Sequence, residues 1–423
     1  MFLEKVVRLV TVLATGVFVT RYLGAEQLGE LNYAAAFVGL FLALTSMGLD
    51  EILVRDLVRH PERRDELLGS GAVLKLGGAV LLVVLATVIA WLKGMPSSTA
   101  AMVVIIALAE LLKPCVIIEY WFTSQVQASR TSRVLIFQAF IANGFKLLLV
   151  ALNAPLYLFA WTYLVEMVIL TIGFTWLYHR SGSSVRDWRY SRGTIRYLIQ
   201  QSWPLLIFGF ALLIQARIDQ VMLGDLLGRS MGRAAANVEV GQYSLALKMV
   251  ESLGFLPVVV QRSLAPAITR AHVTDKTLYH DRMLNLYRLM FLMFLGTAIP
   301  LYILAEPLMV FLYGAEFQWA GTLLGLFALR LFFTNMGVAK TSFITNEGLF
   351  RYSLVTAVLG ATVNISLNAF LIPRHGALGA VAASVISFTM SIFVVDLFFS
   401  RARSNFRSMV MGILTFWRLH RFN

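Results

Sequence analysis

The stretch QARIDQVMLG, residues 215–224, sets Arg217 and Asp219 two positions apart at the end of an uncharged run, SWPLLIFGFALLI. In a bilayer each such group costs at least a few kcal/mol, and intramembrane charges face a bundle interior or a water-filled cavity. The same question attaches to other cations inside or at the edges of apolar segments: Lys5, Arg8, Lys75, Lys113, Lys146, Lys248, Arg330 and Lys340. Two chemistries are open for each, an internal ion pair or a contact to a charged substrate. Lys5, Arg8, Lys75, Lys146, Arg217, Lys248, Arg330 and Lys340 are the substrate-contact candidates. Three carboxylates, Asp50, Glu166 and Asp219, could titrate as they change exposure, which is what proton or sodium coupling requires. Glu4 and Arg8 share a helical face at i, i+4, and Lys248 lies a turn from Glu251, whereas Lys75 has no partner nearby in sequence. Arg217 and Asp219 are about 200° apart around a helix, so they are not a simple pair, and at most one faces a cavity.

The elements that must hold these groups are membrane spans. The chain has 423 residues, 58% hydrophobic and 14% charged, with mean hydropathy +0.75; a soluble chain carries about 25% charged residues. Segments of about 17–25 apolar residues are needed to span, and twelve are legible: 1–21, 34–54, 67–92, 98–122, 133–153, 155–178, 198–224, 240–262, 286–313, 319–343, 352–373 and 376–400. The first resembles a signal sequence, but Glu4 and the lack of an A-x-A site favour a first span. If the helix of the seventh begins near Trp203-Pro204, with proline in the first turn, Arg217 lies about 20 Å further along, in the outer half. Alternate loops and the C-terminal tail hold 22 Lys and Arg, the intervening loops five. That imbalance predicts both termini on the cytoplasmic side, and it makes a nucleic-acid partner unnecessary to explain the net charge of +13.

The basic stretch HRSGSSVRDWRYSRGTIRY, 179–197, separates six segments from six. We read 1–178 as an N-terminal six-helix bundle, 179–197 as a cytoplasmic linker lying on anionic headgroups, and 198–400 as a C-terminal six-helix bundle. Residues 401–423 form a basic tail whose MVMGILTFW is too short to span and suits an interfacial helix. YLGAEQLGELNYAAAF after the first segment and MLGDLLG, then VGQYSLAL, after the seventh share a Leu-Gly turn and a Gly shortly before a Tyr. Two units of like orientation place a substrate path between them. Aligned on these turns, Arg217 corresponds to Val17 and Arg8 to Phe208, so the repeat keeps its turns but not its charges.

Nucleotide, hydrolase and zinc signatures are absent, which leaves no catalytic residue, metal or cofactor to assign. The single cysteine, Cys115, excludes an internal disulfide. All six histidines lie in loops or the tail. The outer loops are too small for a glycan polymerase or ligase, and transport or flipping remains. Asn364 and Asn368 in VNISLNAF lie one turn apart and suit helix–helix hydrogen bonding.

The stretches TRYLGAEQLGELNYAAAFVGLFLALTSMGLDEILVRDLVRHPE, WPLLIFGFALLIQARIDQVMLGDLLG, VGQYSLALKMVESLGFLP and LNAFLIPRHGALGAVAASVIS resemble the polysaccharide (O-antigen, Wzx-type) flippases of the multidrug/oligosaccharidyl-lipid/polysaccharide (MOP) exporter superfamily. The resemblance covers nearly the whole chain. It implies an all-α membrane protein with two six-helix bundles in a V around a central cavity. It further implies alternating access that carries an undecaprenyl-pyrophosphate-linked oligosaccharide outward across a bacterial inner membrane, alongside a polysaccharide polymerase and chain-length partners. Arg forks and Lys point charges in the cavity would meet the pyrophosphate, Arg8 at an inner level and Arg217 at an outer one. A lipid II flippase shares that cationic logic, and a MATE-like drug/cation antiporter would favour acidic residues in the same fold.

Overall fold

Inside a bilayer every backbone N–H and C=O needs an internal partner, and a helix supplies them within one segment. A computed structural model describes the backbone of residues 2–419 and the side chains of residues 10–419, and all regular structure among them is helical. The chain divides into two compact units, Met1–Val221 and Met222–Asn423.

The first unit holds α1 (Phe2–Gly39), α2 (Leu42–Ser46), α3 (Asp50–Arg59), α4 (Arg64–Leu92), α5 (Ser97–Ala109), α6 (Ile117–Ser124), α7 (Ala128–Ala151), α8 (Leu156–Arg180) and most of α9 (Arg192–Ser230). It includes the whole basic stretch 179–197, whose last residues already belong to α9. Its apolar core is built on Leu53, Leu57, Ile117, Phe122, Phe174 and Tyr178. The second unit holds the end of α9 and α10 (Arg233–Leu253), α11 (Phe255–Thr274), α12 (Lys276–Tyr313), α13 (Gln318–Asn346), α14 (Phe350–Thr389), α15 (Val395–Phe398) and α16 (Arg403–Leu414). Tyr279, Leu286, Tyr287, Met336 and Met409 are buried together in its core.

By length and composition nine helical segments of the described residues can cross a membrane, or ten if the bent pair Val10–Gly39 and Leu42–Arg59 is one span. The sequence shows twelve apolar segments, and the difference arises where two of them run into one continuous helix. Two such runs break at glycines in the left-handed region, Gly24 (φ 65°, ψ 177°) in α1 and Gly376 (φ 55°, ψ −135°) in α14. Glycine takes these angles without the steric penalty of a Cβ. At the second break the chain folds back on itself: a Cβ on Gly379 would stand 2.4 Å from the Leu371 carbonyl oxygen.

The seventh segment departs from expectation. Its helix starts at Arg192, not near Trp203, so Pro204 lies inside α9 and leaves one carbonyl of the preceding turn without its helical donor. The backbone around it is packed, since Ser202 and Leu206 lie against Gly48. The fourth segment is also broken. Between α5 and α6 runs a 3-10 stretch, Glu110–Val116, with Pro114 inside it, longer than the usual three or four residues and of a kind that marks strain or a hinge. A π-turn, Met390–Val394, interrupts the last segment.

Close helix contact in the first unit depends on Gly78, where a Cβ would meet the Leu44 carbonyl oxygen at 1.9 Å; at Gly77 it would meet open space. Gly78→Val should therefore force α2 from α4 and cost about 1–3 kcal/mol or more, while Gly77→Val leaves the thermal midpoint in detergent near that of the parent. Equal melting of the two variants would remove this contact from the account of the fold.

Candidate functional site

Two groups of polar side chains sit among the apolar helices of the first unit. In one, Lys75 on α4 is almost fully buried and donates to Tyr120 Oη at 2.7 Å and to Asp50 Oδ1 at 3.4 Å, and Tyr120 donates to the same Asp50 oxygen at 2.5 Å. The ammonium also lies 4.7 Å from the Tyr120 ring centre, so it combines an ion pair, a hydrogen bond and a cation–π contact. Asp50, at the start of α3, keeps 56% of its side chain exposed. Near by, Lys113 Nζ is 2.8 Å from Glu110 Oε2, which also accepts from Thr45 Oγ1 at 3.1 Å. The 3-10 stretch Glu110–Val116 sets these two ionisable groups three residues apart on one side.

The second group lies between α7, α8 and α9. Lys146 Nζ contacts Glu166 Oε1 at 2.6 Å, each side chain about a quarter exposed. Tyr163, one turn before Glu166, is within electrostatic range of both Glu166 and Arg217. Arg217 is half-buried, and its Cγ would lie 3.5 Å from a Cβ on Gly39 of α1. Asp219 is 1% exposed, between the buried Gln215 and Gln220. The two charges of the QARIDQ stretch thus take different surroundings, as their angular separation on the helix requires. Side chains of Lys5 and Arg8 lie outside the described residues.

In the second unit the candidates separate. Lys248 is exposed on α10. Arg330 on α13 reaches Glu251 at 3.6 Å and lies over the Phe388 ring at 5.3 Å. Lys340 is held on all sides: Asp396 Oδ1 at 2.5 Å, the carbonyls of Ser391 and Ile392 at 3.3 and 2.9 Å, and Tyr352 Oη at 3.3 Å. Tyr352 donates to Asp396 as well, Asn405 Nδ2 gives its other oxygen a bond of 2.9 Å, and Tyr287 Oη donates to Asn405 at 2.5 Å. The π-turn aims the two carbonyls at the ammonium. Lys340 and Asp396 tie α13, α14, α15 and α16 together, and Tyr287 joins α12 to them through Asn405. The tail helix carrying Asn405 is seated further by Arg288, which donates to Thr415 Oγ1 and to the Arg418 carbonyl at 3.0 and 2.9 Å. Asn364 and Asn368, both fully buried, bond to each other at 3.2 Å across one turn.

Glu110, Tyr120 and Asp396 are absent from the sequence-based selection. The first and last were within reach, because ALAELLKPC and FVVDLFF each carry a carboxylate in an apolar window, the criterion that singles out Glu166. Tyr120 has no such signal, since tyrosine is common at membrane boundaries.

The chain is similar in structure to an inward-facing multidrug resistance MATE family transporter of the MOP superfamily, at 13% identity over 96% of each chain with a TM-score of 0.67. It is similar too to the lipid II flippase MurJ in an inward closed conformation, at 12% identity over 98% of this chain and 90% of that one with a TM-score of 0.65. An outward-facing MATE family transporter of the superfamily aligns at 14% identity over 100% and 94%, TM-score 0.61. At such identities the likeness is one of fold. The chain belongs to the polysaccharide biosynthesis protein family, whose model matches residues 5–272. No curated protein matches it by sequence.

Proposed function

We propose that this protein is a flippase that moves an undecaprenyl-pyrophosphate-linked oligosaccharide from the cytoplasmic to the periplasmic leaflet of a bacterial inner membrane. The observation that carries this reading is the pair of partly exposed cations that a polysaccharide-family chain holds among the spans of its first unit, Lys146 and Arg217. A pyrophosphate cannot enter a low-dielectric region naked, and guanidinium and ammonium groups replace its lost hydration. In this reading both termini are cytoplasmic, six spans precede and six follow the basic stretch 179–197, and the two bundles alternate access around a central path. Catalysis is left to other proteins, among them a polymerase and chain-length partners.

Lys146 and Arg217, each partly exposed, meet the pyrophosphate, with Lys5 and Arg8 as contacts nearer the cytoplasm, and Lys248 is the exposed candidate of the second unit; Lys75 and Arg330 are buried against Asp50 and Glu251. Lys340 serves the fold, since its donors are fully engaged by Asp396, Tyr352 and two carbonyls. The Lys146–Glu166 pair provides a route to coupling. A pyrophosphate that draws Lys146 away leaves Glu166 to take up a proton or sodium ion, and Asp50 and Asp219 are the other carboxylates able to respond. Deletion of the gene should trap undecaprenyl-linked repeat units on the cytoplasmic leaflet. Unchanged delivery of repeat units to the outer leaflet would end this reading; accumulation of the peptidoglycan precursor would move the assignment to a lipid II flippase.

A further inference from the structure

The outer face of the first unit carries a groove unrelated to the charges inside it. It runs between α7 and α8, has a volume of about 900 Å³, and narrows at Gly173, where a Cβ would come within 2.6 Å of Val134 Cγ1. Because α7 begins at Ala128 and α8 ends at Arg180, the antiparallel pair brings Arg130, Arg133 and Arg180 to one end of the groove. The walls beyond are apolar and exposed, with Phe137, Ile172 and Trp176 at 69%, 64% and 57%. No carboxylate lines the groove. The Arg180 guanidinium lies 5.2 Å from the Trp176 ring, the pairing of cation and indole that suits a headgroup boundary.

We infer that this groove is a binding site for an anionic glycerophospholipid, its phosphate held by Arg130, Arg133 and Arg180 and one acyl chain lying along Phe137, Ile172 and Trp176. No carboxylate among the lining residues competes for the three guanidinium groups, and their planar forks suit phosphate oxygens. From Arg130 to Ile141 the groove follows α7 for about 16 Å at 1.5 Å per residue. That is about half of a 30 Å hydrocarbon core, the depth of one leaflet, which matches a phospholipid better than a long polyprenyl tail. Basic pockets between membrane helices bind anionic headgroups on these terms. The inference goes beyond the flipping reading and does not depend on it.

The test uses the full chain, delipidated in detergent and titrated with cardiolipin, phosphatidylglycerol or phosphatidylethanolamine under native mass spectrometry. One anionic lipid should be retained at least ten-fold more tightly than phosphatidylethanolamine. The variant R130Q/R133Q/R180Q should lose that preference. I172W, which fills the groove and leaves the cations in place, should weaken retention to a similar degree, and R133Q alone, at an exposed position, should weaken it in part. R401Q/R403Q/R407Q removes equal charge elsewhere and should change nothing. Equal loss in that control, undiminished retention in I172W, equal binding of phosphatidylethanolamine, tighter retention of undecaprenyl phosphate, or burial of the groove by a second copy of the chain would each overturn the inference.

Discussion

Lys340→Met should destabilise the second unit by about 3–5 kcal/mol, the usual consequence of leaving one member of a buried ion pair behind. The partner left is Asp396, fully buried, with hydrogen bonds from Asn405 and Tyr352 that cannot neutralise a charge. The Ser391 and Ile392 carbonyls lose their donor in the same step. Removing both charges, as in Lys340→Met with Asp396→Asn, should recover much of the loss, because no unpaired ion then remains. Thermal unfolding in detergent, with α16 followed by protease sensitivity, checks both. A double variant as unstable as the single would show that the carbonyls and Tyr352, more than the charge pair, hold the cluster. Arg288 is the second anchor of the tail, and its bond to the Arg418 carbonyl should keep the chain end seated while α16 loosens.

Arg217→Ala should cut translocation of lipid-linked repeat units by about ten-fold or more at matched expression, since hydrogen bonds to charged groups contribute about 1.5–3 kcal/mol. Arg217→Lys should fall between, keeping the charge without the fork. The measurement is the outer-leaflet fraction of the undecaprenyl-linked glycan in a strain lacking the native gene. Stability should change little, because Arg217 is half-buried. The same assay with Lys146→Met tests the Glu166 exchange: translocation should fall and its dependence on an ion gradient should weaken. Full flipping by Arg217→Ala would return this residue to a packing role against α1.

Features set by one helix's own geometry could be read from the chain. Asn364 and Asn368 had to share a face, and they bond across one turn. Arg217 and Asp219 had to point apart, and one is buried while the other is half-exposed. Apolar length alone marked the spans, because the bilayer thickness is a constant of the surroundings and not of the fold. What stayed hidden depended on which helices meet. Asp50 and Lys75 are separated by 25 residues, Lys340 and Asp396 by 56, and no periodicity specifies the packing that brings such pairs within 4 Å. The proline in α9 misled for the same reason. Its ring argues for a helix start, but tertiary packing carries the helix through it from Arg192. The sequence by itself determined a helical membrane protein that resembles the polysaccharide flippases, with costly charges in its spans. Only the tertiary structure decided which of those charges are buried in ion pairs and which stay partly exposed, because an ion pair in a low dielectric is made or lost by the last few ångströms of helix packing.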